Sequence, residues 1–165
     1  MLSGRKTLLF DDLILARAVH VLAIVHWIGG VGFVTLVVLP YSLSRSSAAE
    51  GLALFDAVER RFAWQVRLSI PITGVAGLWL TYRMDLWERF HDRHFWWMGA
   101  MLGLWLVFMT LVFVVEPLFK DRLETMAARD SSTALRRLAR LHRILLIVAA
   151  LTIFGAVAGA HGLYF

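Results

Sequence analysis

Residues 18–44, AVHVLAIVHWIGGVGFVTLVVLPYSLS, contain no Asp, Glu, Lys or Arg. About 20 apolar residues are enough for an α-helix to cross a hydrocarbon core of about 30 Å. The stretch therefore predicts a transmembrane helix, and two histidines, His20 and His26, lie inside it. An imidazole in the hydrocarbon region is costly, and ionisable residues in such helices usually serve a function. The two rings are therefore the first candidates for a site.

The rest of the chain has the composition of an integral membrane protein. Of its 165 residues, 59% are hydrophobic and 18% are charged, and the mean hydropathy is +0.69, unlike a soluble domain of this size. The sequence predicts an all-α fold, an integral membrane four-helix bundle that forms a single domain over residues 1–165. The expected spans are 14–40, 63–83, 95–116 and 143–164.

The connections between these spans differ in polarity and charge. Residues 45–62 carry an apolar stripe beside charged residues, which predicts a separate helix lying along the membrane surface. The segment 116–142 is predicted to be a long loop, within which Asp130 or Ser131 can cap a helix that leads into the last span. The first and third connections hold eleven Lys and Arg residues, against six on the other side. The positive-inside rule then places both termini outward, in a bacterial-type inner membrane.

Several classes of function have no signature in the sequence. The chain has no cysteine, which excludes disulfides, thiolate metal sites and covalent haem attachment. No phosphate-binding loop, nucleophile elbow or His-Glu-x-x-His motif is present. The net charge of +5 lies in the loops between apolar segments, so we expect no nucleic-acid partner. Membrane lipid is the first expected partner.

His20 and His26 are not expected to bind one metal together. Six residues separate them by about 240° around a helix at about 100° per residue. His20 lies roughly 8 to 10 Å from the outer end of its span at about 1.5 Å per residue, whereas His26 lies near mid-membrane. His20 and Trp27 share a face. For His26, a second ligand, a proton-relay residue and a hydrogen-bonded core histidine all remain open.

His20 has candidate companions in the outer half of the bundle. Met101 lies as far from the outer end of its helix as His20 lies from its own, and His161 is near the end of the last helix. Imidazole and thioether are both normal axial ligands of haem, and Arg17 could pair with the propionates. The alternative is that His20 only donates a hydrogen bond to a facing carbonyl group, as polar residues in membrane bundles do.

The first half of the chain resembles a known family of small membrane proteins, the HemJ-type protoporphyrinogen oxidases. The resemblance is carried by Arg17, His20, Trp27 and Gly30 and, later, by the segments 55–62 and 71–80. It implies that His20 is a haem ligand. The family's second ligand is a lysine on the third helix, and Met101 occupies the aligned position here. The related CopD copper-resistance membrane domains resemble this chain in having a similar His/Trp-x-Gly-Gly pattern, which here contains His26, Trp27 and Gly30.

From these features we expect a protein that binds b-type haem and acts in electron transfer or as a haem-dependent oxidoreductase. His20 would be one axial ligand, with Met101 or His161 opposite, and His26, Arg17 and Trp27 would line the cofactor. A quinone or a redox protein would be its partner, and a homo- or hetero-oligomer is an open expectation. One alternative is copper handling through His20, His26 and methionines. Another is a non-catalytic subunit of a larger membrane complex.

Overall fold

A computed structural model describes the backbone of residues 3–162 and the side chains of residues 12–122 and 124–162. Within these residues the chain is helical and contains no strand. The α-helices are α1 (Ser3–Phe33), α2 (Leu39–Leu43), α3 (Ala48–Arg83), α4 (Trp96–Thr110), α5 (Glu116–Arg129) and α6 (Ser131–Ala160). Two short 3-10 turns, Trp87–Phe90 and Arg93–Phe95, connect α3 to α4. The all-α class is confirmed.

Two π-helical segments join helices without breaking them. Val34–Val38 connects α1 to α2, and Leu111–Val115 connects α4 to α5. Pro40 or Pro117 follows each segment within two residues. A proline ring clashes with the carbonyl group four residues earlier and donates no hydrogen bond, and a wider π turn accommodates both effects. The first and third expected spans are therefore parts of longer continuous helices.

The expected break between a surface helix and the second span is wrong. Residues 45–62 and 63–83 belong almost entirely to one helix, α3, which begins at the Ser47 cap and ends at Arg83. Phe55, Val58 and Phe62 continue the face of α3 that packs against neighbouring helices. The same face packs on both sides of residue 63, so the helix continues through it.

The third connection is also more ordered than expected. Residues 116–129 form α5 instead of a loop, and α6 begins directly after it. The predicted cap is confirmed: the Asp130 carboxylate accepts a hydrogen bond from the backbone N–H of Thr133 at 3.0 Å. Residues 163 and 164 of the last expected span lie outside the described residues.

Successive long helices run antiparallel. Asp12 of α1 forms an ion pair with Arg83 of α3 at one end of the bundle, which we call the Asp12 end. At the opposite end, the Phe55 end, Phe55 packs with Leu39 and Leu135 in a small core. A second core lies between the two ends, around Trp27, Ile70 and Phe108, and joins α1, α3, α4 and α6.

Three helical stretches among the described residues are long and apolar enough to cross a membrane. They are Asp12–Leu43, Arg93–Arg122 and Ser131–Ala160. The expected second span, 63–83, is not among them, because Gln65, Arg67 and several small polar residues interrupt its apolar sequence. Four spans remain a prediction.

Candidate functional site

His20 lies half-buried between α1 and α3. Its Nδ1 is 2.9 Å from the backbone carbonyl oxygen of Thr73. Because a carbonyl oxygen only accepts hydrogen bonds, Nδ1 must carry the proton. In the neutral ring Nε2 then holds the free lone pair. Histidines that bind metals have this arrangement, since the second nitrogen donates to a carbonyl or carboxylate group and fixes the ring.

Two glycines of α3 provide space for rings from neighbouring helices. A Cβ atom at Gly77 would lie 2.9 Å from Cε1 of His20, which is too close for an unaltered structure. Gly74, one turn earlier, contacts the indole of Trp105, whose N–H donates to the carbonyl oxygen of Ile70 at 2.9 Å. The face of α3 between residues 70 and 77 therefore receives side chains from both α1 and α4.

Trp27 lies two turns below His20 and is only 3% exposed. Its ring meets Phe108 edge to face, with 4.8 Å between the centroids. The indole N–H is buried and has no acceptor among the described residues. A buried donor without an acceptor costs about 1–3 kcal/mol. Trp27 is thus a packing residue with one unused polar group.

The contact between Trp27 and Phe108 sets the relative height of α1 and α4. These helices run in the same direction, because α3 is antiparallel to each of them. His20 lies seven residues before Trp27, and Met101 lies seven residues before Phe108. Each is therefore about 10.5 Å nearer the Asp12 end than its aromatic residue, at 1.5 Å per residue. Met101, which is partly buried, therefore lies at the depth of His20.

His161 lies closer to the Asp12 end than Met101 does. Gly159 of α6 packs against Trp97, which is four residues nearer than Met101 to the start of α4. His161 follows Gly159, is exposed, and its Nδ1 donates to the carbonyl oxygen of Val157 at 2.7 Å. The structure therefore separates the two candidate partners of His20 by depth.

Arg17 and His26 make contacts with residues other than His20. Arg17 is exposed one turn above His20, and its guanidinium is 3.9 Å from the sulfur of Met84. His26 is exposed on a different face of α1, as the angle between the two histidines indicates. Its ring lies 5.8 Å from that of Phe62 and borders an open groove between α1 and α3.

A group of charged side chains lies towards the Phe55 end. Arg67 of α3 pairs with Glu116 of α5 at 2.7 Å. Desolvation, followed by the negative charges of Glu116 and Asp56, raises the pKa of Glu59 to about 7. Glu59 as a residue is nevertheless exposed, so solvent screens part of this effect. These groups lie between Thr73 and the Phe55 end and make no contact with His20.

The sequence did not identify Thr73 and Gly77 as partners of His20. The signal was available: an antiparallel hairpin of the first two long helices brings residue 20 opposite residues 70–77, where Thr73 and Gly77 are one turn apart. Aligning the two helices from their short connection would have found both residues.

In the described part of the chain, no group of three or more His, Cys, Asp or Glu side chains is arranged to hold a metal ion. This criterion does not apply to a cofactor that takes only one or two ligands from the protein. Comparison with protein families, curated proteins and solved structures found no match to this chain.

Proposed function

We propose that the protein is an integral membrane protein that binds b-type haem through His20 and serves in electron transfer or haem-dependent oxidation. The observation that carries the proposal is the hydrogen bond from Nδ1 of His20 to the Thr73 carbonyl oxygen. It leaves Nε2 as a lone-pair donor inside an apolar helix bundle. The resemblance of residues 17–30 to the HemJ-type family is an independent argument for the same residue.

The membrane setting of the proposal is a bundle of four spans. The three apolar helical stretches support it, and α3 supplies the fourth span over residues 63–83. The pairing of Arg67 with Glu116 reduces the cost of placing a cation near the end of that span. Both termini face outward, because the Phe55 end carries most of the Lys and Arg residues.

Met101 is the proposed second axial ligand. Its position at the depth of His20 supports this choice, and His161 is the less favoured candidate because it lies nearer the Asp12 end. A Met/His pair of ligands raises the reduction potential of a haem. Trp27 contributes an indole N–H without an acceptor in the described protein, which a bound polar group could use.

The chain's own residues have defined roles in this proposal. The Thr73 carbonyl group keeps the proton of His20 on Nδ1, and Gly77 allows the ring to reach that carbonyl. The core around Trp27, Ile70 and Phe108 excludes water below the site. Arg17, at the membrane boundary, would provide a positive charge for the propionate carboxylates of the haem. When bound, haem supplies a one-electron redox couple.

The test is the absorption spectrum of the purified full-length protein, oxidised and reduced, after expression with adequate haem. We expect a Soret band in the wild type and its loss in His20→Ala. Added imidazole should restore the band in His20→Ala, which separates ligand loss from misfolding. The control His91→Ala changes an exposed histidine in the α3–α4 connection and should keep the band.

Wild-type protein without a Soret band would overturn the proposal. Stoichiometric copper in that protein, lost in His20→Ala, would instead support copper handling. Protein without any cofactor, in which His20→Ala and Met101→Ala both assemble normally, would support a non-catalytic membrane subunit.

A further inference from the structure

A shallow, open groove lies between α1 and α3, beside the apolar sequence of α1. Its volume is about 420 Å³, within the range of about 300–1,000 Å³ that is usual for ligand pockets. Aliphatic side chains of both helices form most of its walls, and His26, Trp64, Gln65 and Ser69 are its polar or amphipathic members. A largely apolar wall with a few polar groups is typical of a binding site.

His26 is the feature of this groove that packing does not explain. It lies near the middle of the apolar stretch Asp12–Leu43, is exposed, and makes no hydrogen bond within the part of the chain that the structure describes. Its contact there is with the ring of Phe62. In the hydrocarbon region an imidazole without a hydrogen-bond partner is strongly unfavourable. A polar occupant of the groove would remove that cost.

Gln65 offers a second polar group on the opposite wall. Its amide nitrogen donates one hydrogen to the carbonyl oxygen of Arg61 at 3.3 Å, which leaves the second amide hydrogen free to donate to another acceptor. The hydroxyl of Ser69 points to the carbonyl oxygen of Val66 and keeps its own lone pairs. The groove therefore offers an imidazole N–H and an amide N–H that can both donate to carbonyl oxygens of a bound molecule.

We propose that this groove binds the ring of a lipid-soluble quinone, with His26 as hydrogen-bond donor to a ring carbonyl group. The occupant must dissolve in lipid, be neutral, and carry hydrogen-bonding oxygens at mid-membrane depth. Phospholipid headgroups stay at the interface, and acyl chains carry no such oxygens. The concave shape and the aliphatic walls suit a flat ring with an apolar tail.

The position of the groove also connects it to His20. The groove is lined by Val19, which directly precedes His20, and by Ala23, which follows it by three residues. Ser69 lies one turn before Thr73 on α3, and the Thr73 hydroxyl donates to the Ser69 carbonyl oxygen at 2.8 Å. A bound quinone would thus lie beside the helices that hold His20. The idea that this quinone exchanges electrons with a haem rests on the proposed function. The binding of the quinone in the groove does not.

The experiment titrates the full-length protein in lipid nanodiscs with decylubiquinone and follows quenching of tryptophan fluorescence. We expect saturable quenching in the wild type and a smaller amplitude in Trp64→Phe, because Trp64 lines the groove. His26→Leu and Gln65→Leu should each raise the Kd, His26→Leu by about tenfold, which corresponds to one lost hydrogen bond. His91→Leu, a histidine outside the groove, is the matched control and should not change the Kd.

Unchanged affinity in His26→Leu would overturn the proposal. So would a wild-type dimer that becomes monomeric in His26→Leu and binds no decylubiquinone, since the groove would then be an interface between two copies. The Soret band is recorded on the same samples. Saturable binding without a Soret band refutes only the haem proposal, and a Soret band without binding refutes only the quinone site.

Discussion

The imidazole of His20 and the backbone of Gly77 are in direct contact, so that a Cβ atom at position 77 would come within 2.9 Å of Cε1. This contact belongs to the same α1–α3 interface as the hydrogen bond from His20 to Thr73. The orientation of the proposed ligand therefore depends on a residue that carries no chemistry of its own.

Gly77→Ala should reduce haem content severalfold, because the added methyl group pushes the ring away from the Thr73 carbonyl group. The measurement is the ratio of Soret absorbance to protein concentration in purified samples. Gly99→Ala is the control, since a Cβ atom there would meet nothing within 4 Å. Equal haem content in both variants would contradict the proposed role of the contact.

Met101→Leu should lower the midpoint potential of the bound haem and alter its reduced spectrum, because a thioether ligand favours the ferrous state. Axial ligands tune haem potentials over about 0.8 V, so a lost ligand should produce a clear shift in a redox titration. Leu102→Met, one residue further along on an exposed face, should leave the potential unchanged. A wild-type potential in Met101→Leu would assign the second ligand elsewhere.

Phe55→Ala should destabilise the Phe55 end of the bundle by about 3–5 kcal/mol, the usual cost of truncating a buried aromatic ring. Phe55 is only 1% exposed and packs with Leu39, Leu135 and the edge of His142. Denaturant unfolding in detergent measures the change. Phe33→Ala removes the same side chain from a position that is 55% exposed and should cost about 0.5 kcal/mol or less.

Glu59→Gln should stabilise the protein above neutral pH and have little effect near pH 4.5. The pKa of Glu59 is raised from 4.5 to about 7 in the folded protein, so the folded state binds the proton more tightly than the unfolded state. The wild type therefore loses free energy of unfolding as pH rises from about 4.5 through 7. The amide in the variant has no carboxyl proton to lose, so the variant avoids this loss.

The expected gain for Glu59→Gln at pH 8 is about 1 kcal/mol, reduced for the solvent exposure of the residue. Thermal unfolding at pH 4.5 and pH 8 measures it. Glu50→Gln is a control of opposite sign, because Glu50 lies in the first turn of α3, where a carboxylate stabilises the helix. A gain at pH 8 from Glu50→Gln would point to general charge repulsion instead.

The helical class and two of its details were predictable from local sequence. The uncharged stretch 18–44 has the length and hydropathy of a membrane-spanning helix, and Asp130 carries the hydrogen-bonding group that begins α6. Both features act over a few residues. Helix propensity, hydropathy and capping preferences, which depend on nearby residues only, are therefore enough to predict both features.

The lengths of the helices and the surroundings of the histidines depended on tertiary contacts. Phe55 and Phe62 pack against other helices, so α3 continues through residue 63, which local polarity does not reveal. The angle between His20 and His26 follows from the helix repeat alone. That Thr73 and Gly77 receive His20, whereas His26 faces an open groove, was decided by how α1 and α3 align, because hydrogen bonds and close contacts between distant residues exist only once the helices have packed.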